Sequence, residues 1–325
     1  MMSGESSYRF SEYQQKALLL FRCVLCKEPM TVQPSFLSCS NCGHRYPIGS
    51  TGIIHVIGRD YQKLTAAQRA GQWKIVARSY DLLWRQWALT LLTGRPFSPK
   101  EELDLVAKNV DIFSEKTILD NACGNAFYGR GIAERLVQDG RPGLIVANDG
   151  SLEMLNQARK LAVQEKVEHR ILFVRSDSES MPFQGGTFDG VVCGGSLNEF
   201  TSPVQVLSEF QRVMTTGARA SVMFQVMSQN KVLALVQKVL GALSGLEFLS
   251  PSEASYRLSK FFDVNDLIQE GVILIARLSM ANSEGRLEKE QIPGRSTVDT
   301  KASTTTQDLH QRAREPILIF DVNGI

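Results

Sequence analysis

The chain has 325 residues, of which 43% are hydrophobic, and its formal charge at pH 7 is +2. This length and hydrophobic content suffice for one large core and a small additional domain. The near-neutral charge argues against a protein that binds nucleic acid through an extensive basic face. The N-terminal residues are polar, and no segment approaches the roughly 20 apolar residues that cross a bilayer. We therefore expect a soluble, cytoplasmic protein.

Four cysteines near the N-terminus form two C-x2-C pairs, Cys23 with Cys26 and Cys39 with Cys42. Each pair can direct two thiolates to one point, and the short segment between the pairs suits a hairpin that brings them together. Four thiolates in a tetrahedral arrangement are typical ligands of structural Zn²⁺. Disulfides or unrelated thiols are the alternative, which an intracellular location disfavours. We predict a zinc ribbon over residues 1–60.

From Lys116 onward, short β-prone runs alternate with helical segments. This alternation predicts a doubly wound α/β fold, with a parallel sheet covered by helices on both faces. The predicted strands are Thr117–Asp120, Leu144–Ala147, Ile171–Val174, Phe188–Cys193 and Ala220–Gln225. The predicted helices are Tyr128–Val137, Leu152–Glu165 and Val204–Met214, with a further helical stretch, Ala66–Thr93, in a connector over residues 61–115.

Acidic and small residues stand at the carboxyl ends of three predicted strands, where sheets of this type bind ligands. Asp120 precedes a loop of small residues around Gly124 that lets a ligand approach the backbone. Asp149 ends the second strand, where a carboxylate can accept hydrogen bonds from a ribose diol. Asp177 follows the third strand and can accept from an adenine amino group. Each carboxylate alone is more often a helix cap, so their order and spacing along the chain are the informative feature.

Four motifs, in order, resemble those of class I S-adenosylmethionine-dependent methyltransferases. Thr117–Ala126 is similar to LD-x-G-x-G-x-G, and Asp149–Ala158 is similar to D-x-S-x-x-M-L-x-x-A. Ser176–Val191 resembles D-x-x-x-L-P-F followed by F-D-x-V, and Glu209–Gly217 resembles E-x-x-R-V-L-x-P-G-G. The resemblance covers residues 116–225 and implies a seven-stranded Rossmann-like sheet that binds S-adenosylmethionine.

The resemblance also implies which residues contact the cofactor. In that family the loop after the first strand lines the methionine, and the end of the second strand holds the ribose. The end of the third strand faces the adenine, and the end of the fourth borders the sulfonium. In that family an aromatic helix before the sheet, here residues 79–87, often covers the cofactor. Alternatively, the tryptophans of this helix only pack in the core. The implied cofactor-binding residues are Tyr80, Asp120, Ala122, Gly124, Asp149, Gly150, Ser151, Asp177, Ser178 and Gly194.

Two residues depart from the first motif, because Ala122 and Ala126 replace its first and third glycines. Alanine is tolerated there if its φ angle is negative, so we expect cofactor binding to be retained. The departure also motivates an alternative, a protein that binds cofactor or a partner without catalysis.

The segments after the fifth strand are expected to complete the core over residues 116–280. Val232–Leu246 is strongly apolar, and we expect it to pack against the sheet. Alternatively, this segment covers an apolar acceptor pocket or contacts a membrane surface. Phe262–Glu270 is predicted as a helix and Val272–Leu278 as a sixth strand. Residues 281–315 are polar and predicted to be a flexible excursion. The β-prone run Pro316–Val322, within 316–325, is predicted to return as the antiparallel seventh strand that the family's sheet contains.

A zinc ribbon joined to this sheet is similar to plastid and cyanobacterial methyltransferases of the quinone-methylating superfamily. That resemblance implies methyl transfer to a small, lipophilic acceptor at oxygen or carbon. Glu199, after the fourth strand, is the candidate general base, with a structural carboxylate as the alternative. Zinc-ribbon methyltransferases that modify a guanine of ribosomal RNA share the domain order and provide a second hypothesis. The near-neutral charge, and Lys27 as the single basic residue between Cys26 and Cys42, argue against it.

Overall fold

The computed structural model describes residues 8–58, 92, 95, 98–112 and 116–280. Contacts divide the chain into a unit of residues 1–281 and a second of residues 282–325, and everything described here belongs to the first. Within the described ranges, no helix combines the length and the hydropathy that crossing a bilayer requires.

The main elements follow in chain order. The helices are α1 (Glu12–Ala17), α2 (Pro99–Val110), α3 (Phe127–Gln138), α4 (Leu152–Gln164), α5 (Pro203–Val213), α6 (Lys231–Ser244) and α7 (Pro251–Ser259). The strands are β1 (Met30–Val32), β2 (Phe36–Cys39), β3 (Arg45–Pro47), β4 (Ile54–Val56), β5 (Thr117–Asn121), β6 (Leu144–Asp149), β7 (Ile171–Ser176), β8 (Phe188–Gly194), β9 (Met214–Gln225), β10 (Phe262–Glu270) and β11 (Ile273–Met280).

Eight strands form one mixed sheet in the order β10-β11-β9-β8-β5-β6-β7-β4. The strands from β9 to β4 in that order run parallel to one another, whereas β11 is antiparallel to both β9 and β10. The chain leaves β5 first toward β6 and later returns to its other side with β8. Sheets of this kind bind ligands at such a reversal, outside the carboxyl ends of the strands. The candidate site therefore lies at the carboxyl ends of β5, β6 and β8.

The central strands form where the sequence predicts them because they are buried on both faces. β5 and β6 are almost continuously buried, as expected of parallel strands covered by helices. Asp189, at the beginning of β8, links this strand to the beginnings of β5 and β9. Its Oδ2 accepts a hydrogen bond from the Thr117 N–H at 3.0 Å and its Oδ1 accepts from the Thr215 hydroxyl at 3.2 Å. Asp189 of the F-D-G-V run thus joins strands β5, β8 and β9.

The prediction of a helix over Phe262–Glu270 is wrong, because this segment is strand β10. A bulge between Val264 and Asp266 shifts its register against β11. The bulge breaks the two-residue alternation of apolar side chains by which a strand is identified from sequence. The predicted strand Val272–Leu278 is confirmed as β11, and this strand occupies the antiparallel position next to β9. Pro316–Val322, expected in that position, lies outside the described residues.

The N-terminal segment packs directly against the sheet. β1, β2 and β3 form a small antiparallel sheet, and β4 then adds a parallel strand beside β7. α1 begins with a capping box between Ser11 and Gln14, and the buried Gln14 amide donates to the Ile171 carbonyl at 2.7 Å. Side chains of both parts, such as Leu37 and Val174, belong to one hydrophobic cluster. The predicted domain boundaries after residues 60, 115 and 280 adjoin residues outside the described ranges and stay predictions.

The expected burial of the apolar segment after β9 is wrong. α6 exposes most of its large apolar side chains, and its only buried residue is Gln237. The predicted helix Ala66–Thr93, including its aromatic part 79–87, lies outside the described residues apart from Leu92.

Candidate active site and four-cysteine cluster

The loop between β5 and α3 turns sharply through alternate left-handed residues. The φ angles of Ala122, Gly124 and Ala126 are +50°, +56° and +57°. The expectation that the two alanines have negative φ angles is therefore wrong. An L-residue in the left-handed region is less stable than glycine by roughly 1–2 kcal/mol, so Ala122 and Ala126 hold this turn at an energetic cost. Glycine, which the resembling motif has at both positions, adopts these angles without that cost.

Asp120, at the end of β5, is buried and fixes the first turn of α3. Its Oδ2 accepts a hydrogen bond from the Gly129 N–H at 2.8 Å. A Cβ at Gly129 would lie 2.9 Å from the same oxygen, so only glycine allows this approach. Carboxylates near helix N-termini are favoured by the unpaired N–H groups there. Asp120 therefore shapes the loop that is predicted to line the methionine of the cofactor.

Asp149 closes the other side of this loop. Its Oδ2 accepts from the Gly124 N–H at 2.8 Å, and its Oδ1 accepts from the Ser151 N–H at 2.7 Å. Burial raises the pKa of Asp149 to about 6, against the opposing effects of these two N–H groups and the Arg175 charge. The structure thus brings three predicted residues, Gly124, Asp149 and Ser151, into direct contact.

Ser151 and Gly150, which are also predicted to lie beside the ribose, are held by hydrogen bonds that involve the backbone. Ser151 is the N-cap of α4, and its hydroxyl accepts from the Met154 N–H at 3.3 Å. The Gly150 carbonyl accepts from Arg175 Nε at 3.1 Å. Arg175, which sequence reasoning did not single out, therefore both positions this turn and offsets part of the negative charge of Asp149.

Asp177 and Ser178, after β7, have different environments. Asp177 is half-buried, its Oδ1 accepts from the Glu179 N–H at 2.9 Å, and burial raises its pKa. The buried Ser178 hydroxyl donates to Asn121 Oδ1 at 3.1 Å. That oxygen also accepts from Asn148 Nδ2 at 2.9 Å. The Ser178 hydroxyl is therefore used within a buried polar network. Sequence reasoning missed this network, although Asn121 directly follows Asp120 at the strand end.

Gly194, at the end of β8, lies against an aromatic ring. A Cβ at Gly194 would fall 1.9 Å from Tyr128 Cε2, so any other residue here would displace the ring. The Tyr128 hydroxyl donates to Glu102 of α2. Tyr128 thus connects α2, α3 and the end of β8 beside the predicted sulfonium position, and the sequence analysis did not identify it.

Glu199 lies in a short 3-10 helix, Leu197–Glu199, that follows β8. Burial, and then the negative charge of Asp149, raise the pKa of Glu199 to about 7 from its ordinary 4.5. Its neighbour Asn198 fixes this turn, since Asn198 Oδ1 accepts from the Gln225 N–H at 2.7 Å and its Nδ2 donates to the Gln225 carbonyl at 2.8 Å. Glu199 and Asp149 thus follow β8 and β6, the strands on either side of β5, and this edge of the sheet between them is the candidate cleft.

The E-x-x-R motif of α5 has a structural role. Arg212 Nε donates to Glu209 Oε1 at 2.6 Å, and Glu209 Oε2 accepts from the Met181 N–H at 2.7 Å. Arg212 Nη1 also donates to the Phe183 carbonyl at 2.7 Å. This ion pair, in which Glu209 is buried and Arg212 partly exposed, thus holds the Met-Pro-Phe loop in place at the side of the sheet.

The four N-terminal cysteines converge on one point. Their sulfur atoms all lie within 4.8 Å of one another, with 3.6 Å between Cys23 and Cys42 and 3.3 Å between Cys26 and Cys39. Four thiolates around Zn²⁺ at about 2.3 Å per bond have sulfurs about 3.8 Å apart, so the cluster fits a tetrahedral metal ion. The cluster is complete with four sulfurs, which is typical of structural sites.

The two cysteine turns share one backbone conformation. Directly after the second cysteine of each pair stands a left-handed residue, Lys27 with a φ angle of +69° and Gly43 with +70°. Burial opposes ionisation of Cys23, but hydrogen bonds from the Tyr46 hydroxyl and from the backbone lower its pKa to about 6. These hydrogen bonds favour the thiolate form of Cys23, whereas, against the hydrogen bond from the His44 backbone, burial and the three neighbouring sulfurs raise the pKa of Cys42 to about 12. Gly43 was identifiable from sequence, whereas the equivalent role of Lys27 was not.

One predicted cofactor-binding residue, Tyr80, lies outside the described residues. The others surround the carboxyl ends of β5 to β8, although Asp120 and Ser178 direct their side chains to protein partners. The arrangement offers carboxylates, open backbone at Gly124 and a buried base candidate at one edge of the sheet.

Comparisons with known proteins agree with this geometry. A family model described as a methyltransferase domain matches residues 112–246. A demethylmenaquinone methyltransferase of Lactiplantibacillus plantarum is 31% identical over 110 residues, which are 34% of this chain and 45% of that protein. An uncharacterized chloroplastic methyltransferase of Arabidopsis thaliana is 23% identical over 216 residues, and the alignment covers 61% of this chain and 59% of that protein. The chain thus spans about half the length of these curated relatives.

Among solved structures, an S-adenosylmethionine-dependent methyltransferase from Aquifex aeolicus aligns with a TM-score of 0.47 and 17% identity. The alignment covers 64% of this chain and 99% of that one. The motifs, the strand order and the family match concern the same stretch of sequence. Residues 112–246 of this chain therefore match a methyltransferase domain.

Proposed function

We propose that the chain transfers a methyl group from S-adenosylmethionine to a small, lipophilic acceptor at oxygen or carbon. The observation that carries this proposal is the position of Asp149 and Glu199 after β6 and β8, the strands on either side of β5, where the charge of Asp149 acts on Glu199 and raises its pKa. A carboxylate suited to a ribose and a carboxyl group suited to a proton transfer thus share one site. The demethylmenaquinone methyltransferase among the relatives supports a quinone-like acceptor.

The residues present fit the cofactor. Each Asp149 oxygen accepts one backbone N–H and keeps a lone pair, so the pair can accept from two ribose hydroxyls. No atom lies within 4 Å of the position of a Cβ at Gly124, so a ligand has access to this backbone. When bound, S-adenosylmethionine supplies an electrophilic methyl group on its sulfonium. The role of the surrounding residues is to align the acceptor with that group, a contribution that is large in transfer reactions.

Glu199 is the proposed general base. A carboxyl group with a pKa of about 7 takes up a proton efficiently near neutral pH. The hydrogen bonds of Asn198 to Gln225 hold the turn in which Glu199 lies, and so fix its position relative to the cleft. The four-cysteine cluster is proposed to bind a structural Zn²⁺ that orders the segment packed against β7.

The test is transfer of radiolabelled methyl from S-adenosylmethionine to demethylmenaquinone and related quinones, with ribosomal RNA transcripts assayed in parallel. We expect incorporation into the lipophilic acceptor, and Glu199→Gln is expected to reduce turnover by about a hundredfold or more. S-Adenosylhomocysteine binding should be unchanged in this variant. The matched control is Glu253→Gln, which removes an exposed carboxylate on α7 and should retain turnover.

Two results would contradict the proposal. Incorporation into RNA but into no lipophilic acceptor would assign the domain to nucleic-acid methylation. Full turnover by Glu199→Gln would remove this residue from the mechanism and leave it as a structural carboxylate.

A further inference from the structure

Helix α6 has its polar side inward and its apolar side outward. The buried Gln237 amide donates to the Val226 carbonyl at 3.0 Å, and its oxygen accepts from the Ser228 N–H at 2.7 Å. At Gly241 a Cβ would lie 2.8 Å from the Leu246 carbonyl oxygen, so this side of the helix also contacts the protein closely. Hydrogen bonds and a small residue, rather than apolar packing, therefore attach α6 to the domain.

The outward face is a continuous apolar stripe. Val232, Val236, Val239 and Leu243 recur at helical spacing, so they lie on one face. The exposed fractions at the two ends of this stripe are 73% for Val232 and 77% for Leu243. Three further side chains widen the stripe, and they are Leu233, Leu235 and Leu240. A contiguous exposed patch of this kind marks a surface that another apolar phase covers.

The charges of the segment indicate which kind of apolar partner covers the stripe. Lys231 and Lys238 are exposed residues of α6, and the sequence from Phe210 to Leu246 contains no aspartate or glutamate. An apolar helical face accompanied by lysines, with no carboxylate to repel phosphate groups, is the pattern of helices that lie in the interface of an anionic bilayer.

The helix is also mechanically joined to the candidate site. The segment that contains α6 follows β9, which ends at Gln225, and comes back beside the turn of Asn198 at Glu247. Asn198 bonds to both ends, since its Oδ1 and Nδ2 bond to Gln225, its Nδ2 donates to the Glu247 carbonyl, and its own carbonyl accepts from the Glu247 N–H at 3.1 Å. Asn198 directly precedes Glu199, so the apolar helix and the proposed base share one anchoring residue.

We propose that α6 docks the domain onto an anionic lipid bilayer, with its apolar stripe in the headgroup region, so that the cleft beside Glu199 receives its acceptor from the membrane. The docking surface is argued from α6 itself, and only its purpose, delivery of a lipophilic acceptor, rests on the proposed function.

The experiment is sedimentation of the full chain with vesicles of phosphatidylcholine and phosphatidylglycerol, without cofactor or acceptor. The triple variant Val232→Ser, Val239→Ser, Leu243→Ser is expected to weaken vesicle binding on the order of a hundredfold. Each of Lys231→Gln and Lys238→Gln is expected to weaken binding to these vesicles by roughly fivefold, with no effect on pure phosphatidylcholine.

The matched control replaces three exposed valines on other helices, namely Val137→Ser, Val163→Ser and Val204→Ser. Vesicle binding should survive in this variant, and both triple variants should bind S-adenosylhomocysteine as the unaltered chain does. Absence of vesicle binding, or equal loss in both triple variants, would overturn the inference. A dimer that is broken by the α6 variant, without vesicle binding, would overturn it in favour of a second copy as the occupant. Because the assay contains no acceptor, vesicle binding without methyl transfer would instead contradict the proposed function alone.

Discussion

Replacing Gly124 by alanine separates ligand binding from loop stability. Gly124 has a left-handed φ angle of +56°, and a Cβ there would meet no atom within 4 Å. Its neighbours Ala122 and Ala126 already occupy left-handed positions, so the loop accepts a methyl group in this conformation. The unfavourable φ angle contributes roughly 1–2 kcal/mol of destabilisation. The smaller conformational freedom of the unfolded alanine variant offsets roughly 0.4–1 kcal/mol of this. We expect Gly124→Ala to lower the free energy of unfolding by about 1 kcal/mol.

The effect on ligand binding should be much larger than this loss of stability. If the cofactor approaches the backbone at Gly124, an added methyl group occupies the space that the ligand needs. Calorimetric titration with S-adenosylhomocysteine should then show a loss of affinity of at least about tenfold, because overpacking costs typically 1–3 kcal/mol. Denaturant unfolding of the same samples measures the stability change.

Gly140 supplies the matched control. It lies in the exposed turn after α3, has a φ angle of +62°, and a Cβ there also meets no atom within 4 Å. Gly140→Ala should therefore lose the same stability as Gly124→Ala and retain full affinity. Equal affinities in the two variants would refute the assignment of the open space at Gly124 to the cofactor.

Three further predictions concern a carboxyl group, the cluster and an ion pair. The pKa of Glu199 is raised from 4.5 to about 7, so the contribution of this group to the stability of the fold is complete below pH 4.5 and is lost as the pH rises through 7. At pH 8, Glu199→Gln should therefore be more stable than the unaltered chain, by up to about 3 kcal/mol in chemical denaturation. Equal stability of the two proteins at pH 8 would argue against the shift. Cys26→Ser should reduce the zinc content, measured by mass spectrometry, below one ion per chain and lower the melting temperature, whereas a fully stable protein without zinc would exclude a structural metal. Glu209→Gln leaves Arg212 without its charged partner and should lower the free energy of unfolding by about 3 kcal/mol. A decrease of less than about 1 kcal/mol would show that the ion pair does not hold the loop that contains Met181.

The parallel core was predictable because its strands are buried on both faces. Runs such as Leu144–Ala147 leave few alternatives once the helices between them are recognised. β10 was not predictable, because a bulge interrupts the alternation that identifies a strand. The orientation of α6 was also not predictable, since an apolar helix is normally buried and the contacts of Gln237 and Gly241, which show the side that faces the protein, appear only in the structure.

At the site, the sequence identified residue types at strand ends but not their conformations. Asp149 was recognisable because acidic residues follow three predicted strands in the order of the methyltransferase motifs, whereas a single carboxylate there is more often a helix cap. The left-handed angles at Ala122 and Ala126 were not, because alanine usually avoids them. The contact of Tyr128 with Gly194 joins residues far apart in sequence and becomes visible only when the sheet is assembled.

The central claim is that Asp149 holds the ribose of S-adenosylmethionine, and calorimetric titration with S-adenosylhomocysteine tests it most directly. The unaltered chain should bind in the micromolar range or tighter. Asp149→Ala should bind at least about a hundredfold more weakly, since two hydrogen bonds to a charged group contribute about 1.5–3 kcal/mol each. Asp139→Ala, which removes an exposed carboxylate after α3, should bind normally. No binding by the unaltered chain, or equal affinity in the Asp149→Ala variant, would contradict the account.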